Sequence, residues 1–109
     1  MNHEELVNVA TEAGSLLLRS GAEIYRVEES MLRIFEAYGV PDGDAFAIPS
    51  CIYVTLTTPQ GAPVTRVKRI LNRSVNLDLV DRTNDVCRRI CREKPPLAEA
   101  KRLLDGAAG

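Results

Sequence analysis

The densest run of chemically able side chains in this sequence is Glu23-Ile24-Tyr25-Arg26-Val27-Glu28. Arg26 has Glu23 three residues before it and Glu29 three after it, a spacing that puts them on one helix face. Two readings of that spacing stay open. In one, the charges form solvated pairs worth about 0.3–0.5 kcal/mol. In the other, Tyr25, Arg26 and Glu28 face a sheet or a pocket and orient an interface or a ligand carboxylate. Asn84 is similarly placed: an amide on an apolar helix face is either a buried hydrogen-bond anchor or a ligand contact. Ser50, between Pro49 and Cys51, offers a hydroxyl, but a nucleophile needs a base beside it and the sequence names none.

Most familiar reaction chemistries are missing. No glycine-rich phosphate loop, Gly-x-Ser-x-Gly elbow or His-Glu-x-x-His pair occurs, and the only histidine is His3, in a terminus expected to fray. Cys51, Cys87 and Cys91 make an odd number without a disulfide-framework spacing, which fits a reducing compartment. Cys87 and Cys91 share a helix face, yet a metal would need further ligands, so buried apolar thiols are expected and neither metal nor cofactor. Arg66, Lys68, Arg69 and Arg73 have no aromatics between them, which argues against nucleic acid. Against an anionic inner leaflet each such cation would contribute about 1 kcal/mol.

Composition is that of one ordinary globular domain: 109 residues, 45% hydrophobic and 27% charged, with no apolar run near the ~20 residues of a membrane span. No secretory leader opens the chain, and a soluble, cytosolic piece is expected. The net charge of −1 hides a division. Residues 1–44 hold nine acids against three arginines, and residues 45–109 hold eleven Lys/Arg against six acids. Much of this is expected to be complementarity between the two halves, the rest a basic surface for an anionic partner.

The elements that must position these residues follow from the periodicity. Leu6, Val9, Ala10, Ala13 and Leu17 predict a helix from Glu4 to about Arg19, with Gly14 marking a close approach. Ser20-Gly21-Ala22-Glu23 reads as a capping box, predicting a second helix from Gly21 to about Tyr38 that ends at Gly39. The period then changes to two. Asp44–Ile48, Cys51–Thr58 and Val64–Leu71 are predicted strands, the last with Arg66 and Lys68 on its polar face. Asn76 is a predicted N-cap of a third helix to about Arg92, with Leu77, Val80, Cys87, Ile90 and Cys91 inward. After Pro95-Pro96 a short helix, Leu97–Leu104, completes an α+β, two-layer fold: a three-stranded antiparallel sheet against about four helices, α-α-β-β-β-α-α. Residues 1–105 form the single domain, and 106–109 read as a flexible tail at a cut before a linker.

The run Ala13-Gly14-Ser15-Leu16-Leu17-Leu18, followed by Ser20-Gly21-Ala22-Glu23-Ile24-Tyr25-Arg26-Val27-Glu28, resembles the N-terminal domain of the threonine/serine exporter family. Ala37-Tyr38-Gly39-Val40, Ile48-Pro49, Val75-Asn76-Leu77, Asn84 and Leu97-Ala98-Glu99-Ala100 extend the resemblance from about Glu4 to Asp105. Ser50-Cys51 departs from the Thr-Gly of the family pattern, and the family's membrane-spanning segments are not among these residues.

The resemblance implies a cytosolic domain of a cell-membrane exporter of threonine, serine or related small metabolites, driven by an ion gradient. The implied partners are the transmembrane part of the same exporter or a separate membrane subunit, and a small amino acid or dicarboxylate; a homo-oligomer is also open. Two classes of function are therefore expected. One is an accessory, regulatory or assembly domain organised by Glu23, Tyr25, Arg26, Glu28 and Asn84, with Pro49 and Ser50 at its turn. The other is a small hydrolase or metabolite-binding domain using Glu23, Glu28 or Ser50, which requires those groups to share a concave pocket.

Overall fold

A computed structural model describes residues 1–109. The elements are α1 (His3–Arg19), α2 (Ile24–Ala37), β1 (Asp44–Ile48), β2 (Cys51–Thr57), β3 (Pro63–Arg69), α3 (Leu77–Glu93) and α4 (Leu97–Ala108). The sheet is antiparallel in the order β1-β2-β3, and the whole is the α+β arrangement that the periodicity predicts.

α1 is the central element. Eleven of its residues are buried, from Leu6 to Leu18, and it touches every other element except β1. The wide apolar arc thus has a purpose: it packs on helices and sheet at once. Gly14 is the point of closest approach, because a Cβ there would fall on the Met31 thioether of α2, itself fully buried.

The turn between α1 and α2 differs from the expected capping box. The Ser20 hydroxyl donates backward, to the carbonyls of Leu16 (2.5 Å) and Leu17 (3.2 Å). Gly21 takes φ +97°, and the bonds Gly21 N–H to Leu18 O and Ala22 N–H to Leu17 O close α1 as a Schellman motif. Glu23 is the N-cap of α2, without a side-chain cap bond, so the helix starts at Ile24 rather than Gly21. Gly39 ends α2 in the same way, at φ +82°, as the sequence predicts.

The carbonyls at this corner are satisfied from far along the chain. Ser74 N–H donates to Arg19 O and Asn76 N–H to Ser20 O, both at 2.9 Å. Arg73 donates Nε to Leu18 O (3.1 Å) and Nη2 to Ala22 O (3.2 Å). The loop before α3 is therefore the C-cap of α1.

The register sets the faces of the sheet. Ala45, Val54 and Arg66 are aligned across the three strands, as are Ala47, Ile52 and Lys68. Arg66 and Lys68 therefore lie on the helix-facing side, not on a separate polar face. They are exposed because β3 is the margin of the sheet. Phe46, Tyr53 and Val67 form an aligned row on the opposite side and are all exposed.

α3 seats Val80, Cys87, Ile90 and Cys91 inward as expected and departs at its first residue. Asn76 caps it, accepting from Leu79 N–H at 3.1 Å, but Leu77 is exposed and the buried stripe is Leu79, Thr83, Cys87 and Ile90. α4 continues beyond Leu104, so residues 106–108, expected as a flexible tail, are helical. Ala107 is buried and its carbonyl accepts from Arg82 at 3.2 Å.

The charge division is not resolved by ion pairs between the halves. Each of the six ion pairs joins residues of one and the same helix, one pair in α2, three in α3 and two in α4, and all are exposed.

Candidate functional site

α2 and α3 both lean on α1 but stand apart from one another along their polar flanks. α2 is anchored by Val27, Met31, Ile34 and Phe35, and α3 by Leu79, Thr83, Cys87 and Ile90. Between them lies a cleft of about 360 Å³, within the size range of small-molecule sites, roughly 300–1,000 Å³. α2 contributes Arg26, Glu29, Ser30 and Arg33 to its wall; α3 contributes Asn84, Cys87, Arg88, Cys91 and Arg92. Each set follows the i, i+3/i+4, i+7 rule, one turn after another along one face.

Four guanidiniums thus meet one carboxylate, a formal excess of three positive charges among the lining residues. Glu29 is held by Arg33 at 3.0 Å, so the pairing of Glu29 with Arg26 suggested by spacing does not form. Arg26 has no carboxylate partner at all; its guanidinium lies 5.9 Å from the Tyr25 ring centroid, at the outer limit of cation–π attraction. Arg88 and Arg92 pair with Asp85 and Glu93, which stand outside the cleft.

The floor is neutral. Burial pushes the Cys87 thiol up to about 12, with the nearby Cys91 adding to the shift and Arg88 opposing it. Burial raises Cys91 as well, Arg33 opposing and Glu36 adding. Both sulfurs therefore stay protonated at neutral pH and add no negative charge beneath the arginines. Protonated thiols are poor nucleophiles, and no base accompanies them. At the far end of α2 the Tyr38 hydroxyl donates to Pro95 O at 2.5 Å, tying α2 to the α3–α4 connection.

Of the residues that the sequence offers as functional candidates, the cleft unites two, Arg26 and Asn84, together with Glu29, Cys87 and Cys91. Glu28 lies elsewhere: its Oε2 accepts from Ala47 N–H at 2.9 Å, on the free edge of β1. Glu23 is exposed at the start of α2, and the Tyr25 side chain is largely in solvent. Pro49 and Ser50 form the exposed two-residue turn between β1 and β2, where Ser50 O accepts from Ile70 N–H at 2.8 Å. None of the four principal clefts is lined by Glu23, Glu28 or Ser50. No three or more His, Cys, Asp or Glu side chains gather where they could hold a metal. Of the basic set, Arg73 is engaged with α1, leaving Arg66, Lys68 and Arg69 exposed on β3.

Ser30, Arg33, Arg88 and Arg92 escape a reading of the sequence. Their helical spacing was visible, but no local signal says that the flanks of α2 and α3, some 55 residues apart, face one another.

No helix is long and apolar enough to cross a membrane. No curated protein and no solved structure matches the chain. The family model described as "Putative threonine/serine exporter" matches residues 8–107, an interval that takes in the α1–α2 corner, the sheet and both walls of the cleft. The chain therefore belongs to the threonine/serine exporter family.

Proposed function

We propose that these residues act as an accessory domain of a threonine/serine exporter, regulating or assembling a membrane-embedded part and not themselves forming the path of the exported metabolite. The observation that carries this reading is the family match over 8–107 in a chain whose helices are all too short or too polar to span a bilayer. A path for a hydrophilic metabolite has to be lined by spanning segments, because unpaired backbone and charge are costly in hydrocarbon. That task falls to a partner segment or subunit on the cell membrane, with this domain on its cytoplasmic side. The α2–α3 cleft, with Arg26 and Asn84 in its wall, is the part of the domain we assign to regulation.

The test is efflux of labelled threonine and serine from cells expressing the exporter with Arg26→Ala in this domain. Arg26 is exposed and makes no ion pair, so the variant is expected to fold normally. A several-fold drop in efflux at unchanged protein level supports the reading, and wild-type efflux counts against it.

A further inference from the structure

The α2–α3 cleft has the chemistry of a ligand site. We propose that the α2–α3 cleft is a binding site for a small dianion, a dicarboxylate or a phosphate ester, gripped by Arg26 with Arg33, Arg88 and Arg92 around it. The proposal rests on the accessory reading only for its consequence in efflux; binding itself is a property of this chain.

Three observations carry it. First, both walls of one cavity of about 360 Å³ carry arginines, Arg26 and Arg33 from α2 and Arg88 and Arg92 from α3, the latter two reaching acids at its rim. Guanidinium groups bind carboxylate and phosphate bidentately, which is the geometry that such a cavity can use. Second, Arg26 is the one member of the four without a carboxylate partner, so an arriving anion has no internal competitor there. Third, apart from Glu29, which Arg33 holds, the rest of the lining is uncharged. The Ser30 hydroxyl and the Asn84 amide make no hydrogen bond within the protein, and the two thiols below them are uncharged at neutral pH.

A dianion fits better than a monoanion or a zwitterion. A free amino acid brings an ammonium group into a lining with three excess positive charges and only Glu29 to receive it, and Glu29 is taken by Arg33. Two anionic ends, by contrast, are met by guanidiniums from both helices, and the ligand would draw α2 and α3 together. That is a movement a membrane-embedded partner could sense.

The experiment is titration of the 109-residue chain with malonate and, separately, with inorganic phosphate, followed by calorimetry and by amide chemical shifts. Chloride at matched ionic strength controls for general screening. Saturable binding of at least one probe is expected, with shifts confined to α2 and α3. Arg26→Gln should weaken it at least tenfold, while Arg102→Gln, on exposed α4, should leave it unchanged. Malonate alone would specify a dicarboxylate site, phosphate alone a phosphorylated ligand, and both together charge recognition. Binding of neither probe above chloride would overturn the proposal, as would equal affinity in Arg26→Gln. Either result would leave the efflux phenotype of Arg26→Ala as a separate measurement, so the accessory role stands or falls independently.

Discussion

The Glu28 carboxylate of α2 accepts the Ala47 backbone N–H of β1 at 2.9 Å, and so closes the free edge of the sheet. The only other outward amide near it, that of Ala45, is taken by the Asp44 carboxylate at 2.9 Å. Unpaired edge amides invite pairing with another chain, and two carboxylates standing over them both satisfy the donors and repel an intruding carbonyl. Glu28 thereby joins the helical layer to the sheet margin.

Glu28→Ala is expected to lower stability by about 1–2 kcal/mol, the cost of a lost charge-assisted bond to a half-buried amide. It should also raise the tendency to self-associate. Urea unfolding and size-exclusion chromatography at increasing concentration check both, and an unchanged midpoint would show that the bond contributes nothing.

Gly14→Ala should destabilise the chain by about 1–3 kcal/mol although alanine is the better helix former. The added methyl falls on the buried Met31 side chain, which has no solvent to move into. In the Met31→Ala background the same change should cost less, because the space has been vacated. Additive effects in the double-mutant cycle would remove the steric explanation.

Arg73→Ala should cost about 1–2 kcal/mol, since it strips donors from the carbonyls of Leu18 and Ala22 at the end of α1. Arg66→Ala, on the exposed edge strand, should stay within about 0.5 kcal/mol. Thermal melts of the two variants side by side distinguish a structural arginine from a free one.

The thiols set an alkaline limit. A Cys87 pKa held near 12 in the folded state, above its ordinary 9, means that the folded chain keeps a proton the unfolded chain gives up. The associated stability is full below pH 9 and is lost as pH rises toward 12, by at most about 1.4 kcal/mol per pH unit. Cys91 and Tyr38, both raised by burial, act in the same direction. Cys87→Ala should therefore flatten the fall in stability between pH 9 and 11. At pH 8 an aromatic disulfide reagent should modify half-exposed Cys51 first and reach Cys87 only on unfolding.

The element order was legible in the sequence because hydrophobic spacing changes from 3.6 to 2 after Gly43 and back after Asn76. What was not legible depended on choices between equal local signals. Ser20-Gly21-Ala22-Glu23 carries both a helix stop and a helix start; the positive φ of Gly21 and the loop around Ser74 decide for the stop, and no neighbouring residue announces that loop. Arg26 could pair with Glu23 or Glu29 by spacing alone, and Arg33, one turn further on, takes Glu29 instead. Asn84 was visible as a polar residue among apolar ones. That its face meets the flank of α2 is a consequence of how both helices seat on α1.

The proposed role of this domain is to serve a membrane-embedded exporter. The direct measurement is threonine efflux from cells that express the membrane-embedded part alone, or together with residues 1–109 supplied as a separate chain. Efflux that is low without the domain and restored by its co-expression is the predicted result. Full efflux from the membrane part alone, unchanged when the domain is added, would contradict it.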